Sequence, residues 1–143
     1  MNEIKFVVPG NPYGKQRPKF VRQGNYTKTY TPNETVSYEN LVKLCYKEAT
    51  KDIPDAFFTK DTPLSIHIEA FFAIPKSVSK KKAAAMLKGD IRPTKKPDVD
   101  NIAKVICDSL NSVAFYDDAA IAELSVSKYY ADVPEVIVSI KAC

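Results

Sequence analysis

Between Leu64 and Ile74 the chain alternates almost without a break. Leu64, Ile66, Ile68, Ala70, Phe72 and Ile74 share one parity, and Ser65, His67, Glu69 and Phe71 share the other. A period of two is the strand period, and it places six apolar side chains on one face. Such a face must be covered, so this segment predicts a core strand in a sheet with one face packed and one face wet.

The rest of the chain supplies neighbours and a cover. Residues 3–8 read as a strand stopped by Pro9-Gly10. Leu124 to Tyr130 and Glu135 to Lys141 read as two further strands, expected to form an antiparallel pair across Asp132 and Pro134. Residues 9–19 are a Pro- and Gly-rich loop, and Val21 to Tyr30, with Gly24-Asn25 at its middle, reads as a hairpin or an irregular arm. Asn33 or Thr35 can cap a helix to about Thr50, with Val36, Leu41, Leu44 and Cys45 near one face. Ser77 or Ser79 can cap a short helix to Leu87, ended by Gly89. A third helix is predicted over about Val99 to Ser112. Ile102, Val105, Ile106, Leu110 and Val113 lie on its apolar face, opposite Asn101, Lys104, Asp108 and Asn111. Strands and helices mix without a regular βαβ alternation, so the expected class is α+β: one domain over 1–143, a mixed sheet with helices packed on it.

Composition excludes several classes. Cys45, Cys107 and Cys143 are odd in number and form no C-x-x-C pair, which argues against a disulfide framework or zinc knuckle and fits a reducing cytoplasm. No apolar run approaches the roughly 20 residues of a membrane helix, and the first residues lack a signal-peptide layout. The net charge of +4 matters less than its distribution. Residues 15–28 carry Lys15, Arg17, Lys19, Arg22 and Lys28 with no acid; residues 76–96 carry eight cations against Asp90 alone. These blocks hold +5 and +7, which leaves −8 on the remainder. Two basic blocks on an otherwise acidic chain suggest a polyanion surface kept apart from an acidic region; the plain alternative is a pair of solvated loops.

The acidic region is concentrated in Lys96-Pro97-Asp98-Val99-Asp100-Asn101-Ile102-Ala103-Lys104, then Asp108, then Tyr116-Asp117-Asp118. A helix N-terminus needs one capping carboxylate at most. Several carboxylates brought together repel one another unless a cation neutralises them. Hard divalent cations take such oxygen donors, and magnesium keeps water positions open for a phosphate substrate. Lys104, one turn beyond Asp100, can add a positive charge to the same place. The plain alternatives are acids that complement the helix dipole, an i,i+4 surface ladder of Asp100, Lys104 and Asp108, and a turn at Asp117-Asp118.

At these residues the sequence resembles the RusA family of Holliday junction resolvases. The shared marks are Asp98-Val99-Asp100-Asn101-Ile102-Ala103-Lys104, then Asp108-Ser109-Leu110, then Asp117-Asp118 before Ile121. A second block, Gly10-Asn11-Pro12-Tyr13-Gly14-Lys15-Gln16-Arg17-Pro18, follows the first strand. The resemblance implies a homodimeric, magnesium-dependent endodeoxyribonuclease (manganese being the alternative ion) that makes paired nicks in four-way DNA junctions. It implies Asp98, Asp100 and Asp118 as metal ligands, with Asp117 the neighbour that a one-residue slip would exchange for Asp118. It implies Lys104 as the catalytic lysine.

Lys15, Arg17 and Lys19, held in a Pro-fixed loop, are candidate phosphate contacts, as are Lys80, Lys81, Lys95 and Lys96 of the second block. Tyr13, Phe20 and Tyr26 could stack on unpaired bases, but core packing is the expected use. His67 and Cys107 read as structural. Two rivals stay open: a non-catalytic DNA-binding protein of the same fold, and a less selective nuclease of branched DNA.

Overall fold

The computed structural model describes residues 3–16, 19–30 and 32–143. In chain order the elements are β1 (Glu3–Pro9), β2 (Lys19–Gln23), β3 (Tyr26–Tyr30), α1 (Asn33–Thr50), β4 (Leu64–Ala73), α2 (Lys80–Lys88), α3 (Val99–Leu110), a short 3-10 turn (Asp118–Ala120), β5 (Ile121–Ala131) and β6 (Glu135–Ala142). Four strands form one sheet in the order β1-β6-β4-β5, and β2 and β3 form a separate two-stranded ribbon. The fold is therefore α+β with a mixed sheet: β6 runs antiparallel to β1 and to β4, and β5 runs parallel to β4.

The alternation in β4 does what its period requires. Leu64, Ile66, Ile68, Ala70 and Phe72 are buried on one face, and the intervening residues are half-exposed. The apolar rows continue across the strands. Ile4 faces Ile140, which faces Ile66; Phe6, Val138 and Ile68 form the next row; Val8, Val136 and Ala70 the third. Helices α1 and α3 cover this face with Val42 and Tyr46 from one and Ile102, Val105, Ile106 and Leu110 from the other. Each such side chain contributes roughly 1.5–3 kcal/mol on burial, so the site rests on a rigid platform.

Three expectations change. First, β5 and β6 are not a hairpin pair: they flank β4 on opposite sides. Val136, Val138 and Ile140 are fully buried, whereas β5 exposes Leu124, so the more completely apolar strand takes the central position and β5 the edge. Second, α1 buries Thr35, Val42, Tyr46 and Thr50, while Val36 and Leu44 face solvent. Its apolar pattern is diffuse, and packing against β1 and α3 decides which side turns inward. Third, Phe20 and Tyr26 do not enter the core; both are exposed on the ribbon.

Local signals at chain turns behave as their chemistry dictates. Ser79 caps α2 by accepting from the Lys82 N–H at 3.2 Å, and Gly89, at φ 86°, closes the helix in the left-handed region. Gly24, at φ 59°, occupies the first position of the two-residue turn between Gln23 and Tyr26.

Candidate functional site

Helix α3 begins at Val99, and Asp98 precedes it in extended conformation. The Asp98 carboxylate makes no capping hydrogen bond, so it is not consumed by the helix end. Asp100 stands in the first turn and is exposed. The apolar face of α3 is pressed into the sheet, so its polar face looks outward toward the start of β5. There a cavity of about 400 Å³ opens between helix and edge strand. Asp100, Lys104 and Asp118 line it, with Ala103 and Cys107 below and Ile121 to Leu124 forming the far wall.

Asp117 does not line this cavity; Asp118 does. Asp98 instead lines a neighbouring cavity of about 370 Å³ with Lys15, Lys96 and Asn101. The structure thus brings together Asp100, Lys104 and Asp118, and sets Asp98 beside them. Among the described residues, no group of three or more His, Cys, Asp or Glu side chains is gathered closely enough to hold a metal ion. Two carboxylates in one pocket remain a donor set of the kind magnesium uses, since it commonly binds one or two carboxylates plus substrate phosphates.

The acids of the pocket are crowded, with the Lys104 ammonium, among the described residues, the one opposing charge that acts on Asp118. Burial, and then a hydrogen bond and repulsion from Asp117, raise the Asp118 carboxyl above its ordinary value, so the ionised form is opposed by its surroundings. Lys104 is held by Asp108, which accepts from its Nζ at 3.0 Å and raises the ammonium's pKa. The other oxygen of Asp108 lies 3.4 Å from Lys15 Nζ, and Lys15 in turn donates to Glu39 at 3.2 Å. A chain of charges, Glu39–Lys15–Asp108–Lys104, therefore runs from α1 across the N-terminal loop to the pocket.

That loop is fastened at its backbone as well. The Lys15 N–H donates to the Asn101 carbonyl at 2.9 Å. Gly14 lies so close to α3 that a Cβ there would sit 2.7 Å from Pro97 Cβ and 3.1 Å from Asn101 Cβ. Tyr13, just before, stacks on Tyr38 with centroids 5.1 Å apart and hydrogen-bonds Thr35 Oγ1 through its hydroxyl at 2.8 Å. Glycine at 14 is thus a packing requirement.

Of the remaining basic candidates, Lys80 and Lys81 start α2 and are exposed, as are Lys95 and Lys96. Arg17 lies outside the described residues, and so does the side chain of Lys19. Sequence reasoning passed over Glu39 and the shared role of Asp108, because a contact between α1, a loop and α3 has no local signature. It also passed over Arg92 and Lys128 as a pair. Arg92 Nε donates to the Lys128 carbonyl, and its guanidinium stacks 3.9 Å above Tyr129; Lys128 Nζ donates to the Lys95 carbonyl. These bonds fasten the loop after α2 to strand β5. His67 bonds Ser125 Oγ through Nδ1 at 2.5 Å on the outer sheet face, and neither residue lines the pocket. The Cys107 thiol, pushed up to about 11 by burial and by Asp118 and Asp108, stays protonated near neutral pH and is no nucleophile there.

The family model described as Endodeoxyribonuclease RusA matches residues 9–141 of the chain. A curated relative, the uncharacterized protein YqaN of Bacillus subtilis (strain 168), is 36% identical over 143 residues, covering 99% of this chain and 97% of the relative.

Proposed function

Because this chain belongs to the endodeoxyribonuclease RusA family, we propose that it is a divalent-metal-dependent nuclease that resolves four-way DNA junctions by paired, symmetric nicks, with the whole of 1–143 serving as one endonuclease domain. The observation that carries this reading is the gathering of Asp100, Lys104 and Asp118 around one open cavity, with Asp98 beside it.

In this reading Asp100 and Asp118 would hold magnesium, or manganese in its place, with Asp98 the third candidate ligand. When bound, the ion supplies positive charge to the scissile phosphate and makes a water more acidic. The chain's own groups do the rest. Lys104 sets its ammonium against the charge that develops on the attacked phosphate. The water oxygen bonds to phosphorus as one phosphodiester P–O bond breaks, and the departing sugar oxygen takes a proton. Lys15, Lys95, Lys96, Lys80 and Lys81, with Arg17 and Lys19, supply phosphate contacts that position the DNA without reading sequence. A homodimer in the cytoplasm suits this substrate, since two sites related by a two-fold axis match two equivalent strands.

The test is cleavage of a synthetic four-way junction with and without magnesium, mapping both strands, beside a fork and a linear duplex. The expected result is paired symmetric cuts only with the metal and only in the junction. The Asp100→Asn variant should keep its fold and bind the junction without cutting it. Equal cutting of all three DNAs points to the less selective nuclease. Salt-sensitive binding with no cutting points to a non-catalytic binder. Normal cutting by Asp100→Asn removes the assignment of the acids.

A further inference from the structure

The β2–β3 ribbon is unlike the rest of the fold. Its strands pair with each other alone among the described strands, and residues 20–27 are exposed throughout. Phe20 is 73% and Tyr26 67% exposed, and Val21 is exposed beside them. The register sets Phe20 opposite Thr29 and Tyr26 opposite Gln23, which puts the two rings on opposite faces of the ribbon. An isolated two-stranded hairpin is marginal in water, and a large ring left on each face gains nothing from folding alone. Such a ribbon fits a partner that offers flat apolar surfaces on both sides.

Charge selects the partner. Residues 15–28 contain five cations and no acid, and Arg22 is exposed between the two rings in sequence. Position ties the ribbon to the pocket. Only residues 16–18 separate Lys19, where β2 starts, from Lys15, whose backbone is bonded to the first turn of α3. Four peptide steps span at most about 14 Å, so the ribbon is rooted beside the acids. Five residues of strand then extend about 17 Å from that root.

We propose that the β2–β3 ribbon is a DNA-contacting arm whose rings, Phe20 and Tyr26, stack on base faces exposed at a branch point while its cations hold the adjoining phosphates. This rests on the endonuclease reading above. Within a continuous duplex every base face is covered by its neighbour, whereas a branch point interrupts the stack. Aromatic stacking on such faces is indifferent to sequence. The arm would therefore supply preference for branched over linear DNA, a discrimination that the acids and Lys104 have no means to make.

The experiment measures binding of the full-length chain to a four-way junction and to a linear duplex of the same composition, without divalent metal, by fluorescence anisotropy. The double variant Phe20→Leu/Tyr26→Leu keeps apolar bulk and removes the rings. Its junction affinity should fall by about 5- to 150-fold for each ring that no longer stacks on a base. Duplex affinity, held by phosphate contacts, should change less than about twofold. The ring-preserving pair Phe20→Tyr/Tyr26→Phe should bind as the wild type does. Unchanged junction binding by the leucine pair overturns the proposal, and so does equal weakening for both DNAs. Conversion of a dimer to a monomer in sedimentation also overturns it, because the rings would then cover a second copy of the chain. Wild-type protein that neither binds nor cuts any branched DNA sinks the endonuclease reading and this one with it; wild-type cutting with an unaffected leucine pair sinks this one alone.

Discussion

Replacing Gly14 by alanine tests whether the N-terminal loop is fastened to helix α3 by close packing. The added Cβ would lie 2.7 Å from Pro97 Cβ and 3.1 Å from Asn101 Cβ. Neither neighbour is the free end of a flexible side chain, so the strain cannot be relieved by a rotamer change. Overpacking of this kind costs about 1–3 kcal/mol. The loop can escape by lifting off α3, which breaks the Lys15 N–H to Asn101 carbonyl bond, worth about 1 kcal/mol net. The core strands and α3 stay in place, so the loss should be local. Native-state hydrogen exchange reads it directly. The Lys15 amide should lose protection by about 5- to 150-fold, the equivalent of 1–3 kcal/mol. Amides of β4 and β6 should lose no more than the loop's docking energy. Lys15 would then leave Asp108 and Glu39, and Lys104 would keep Asp108 to itself. Wild-type protection at Lys15 in the variant would refute the packing argument, and uniform loss through the sheet would refute its local character.

Two further expectations concern the body of the fold. Ile106→Ala removes a fully buried side chain from the α3 face packed on the sheet, and chemical denaturation should show a loss of about 2–5 kcal/mol. The Cys107 thiol titrates near 9.0 when unfolded and near 11 in the fold. The folded chain therefore binds the extra proton between those values, and stability present below about pH 9 declines as pH rises through about 11. Denaturant midpoints followed across that window should fall more steeply for the wild type than for Cys107→Ala.

Features that depend on neighbours in sequence were legible beforehand. The period-two run fixed both the identity of β4 and its buried face, because a strand's faces are set residue by residue. The α3 stripe, the Ser79 and Gly89 caps and the Asp98–Lys104 spacing follow from local geometry in the same way. Pairing between distant segments was not legible. Whether β6 joins β5 or slips between β1 and β4 depends on which strand can bury both neighbours' rows, and that competition is decided only when the sheet assembles. The same limit hid the Glu39–Lys15–Asp108–Lys104 chain, whose members come from three elements. Phe20 and Tyr26 were expected inside on general grounds of ring area, but their ribbon never reaches the core.

The sheet order has a consequence for how the chain folds. β1 and β4 touch no common ladder except through β6, which ends at Ala142. During folding both early strands stay unpaired with one another until β6 seats between them. The wall of the pocket contributed by β5 depends on β4 being seated. A partly folded chain would thus carry its basic loops before its acids have a frame to stand on.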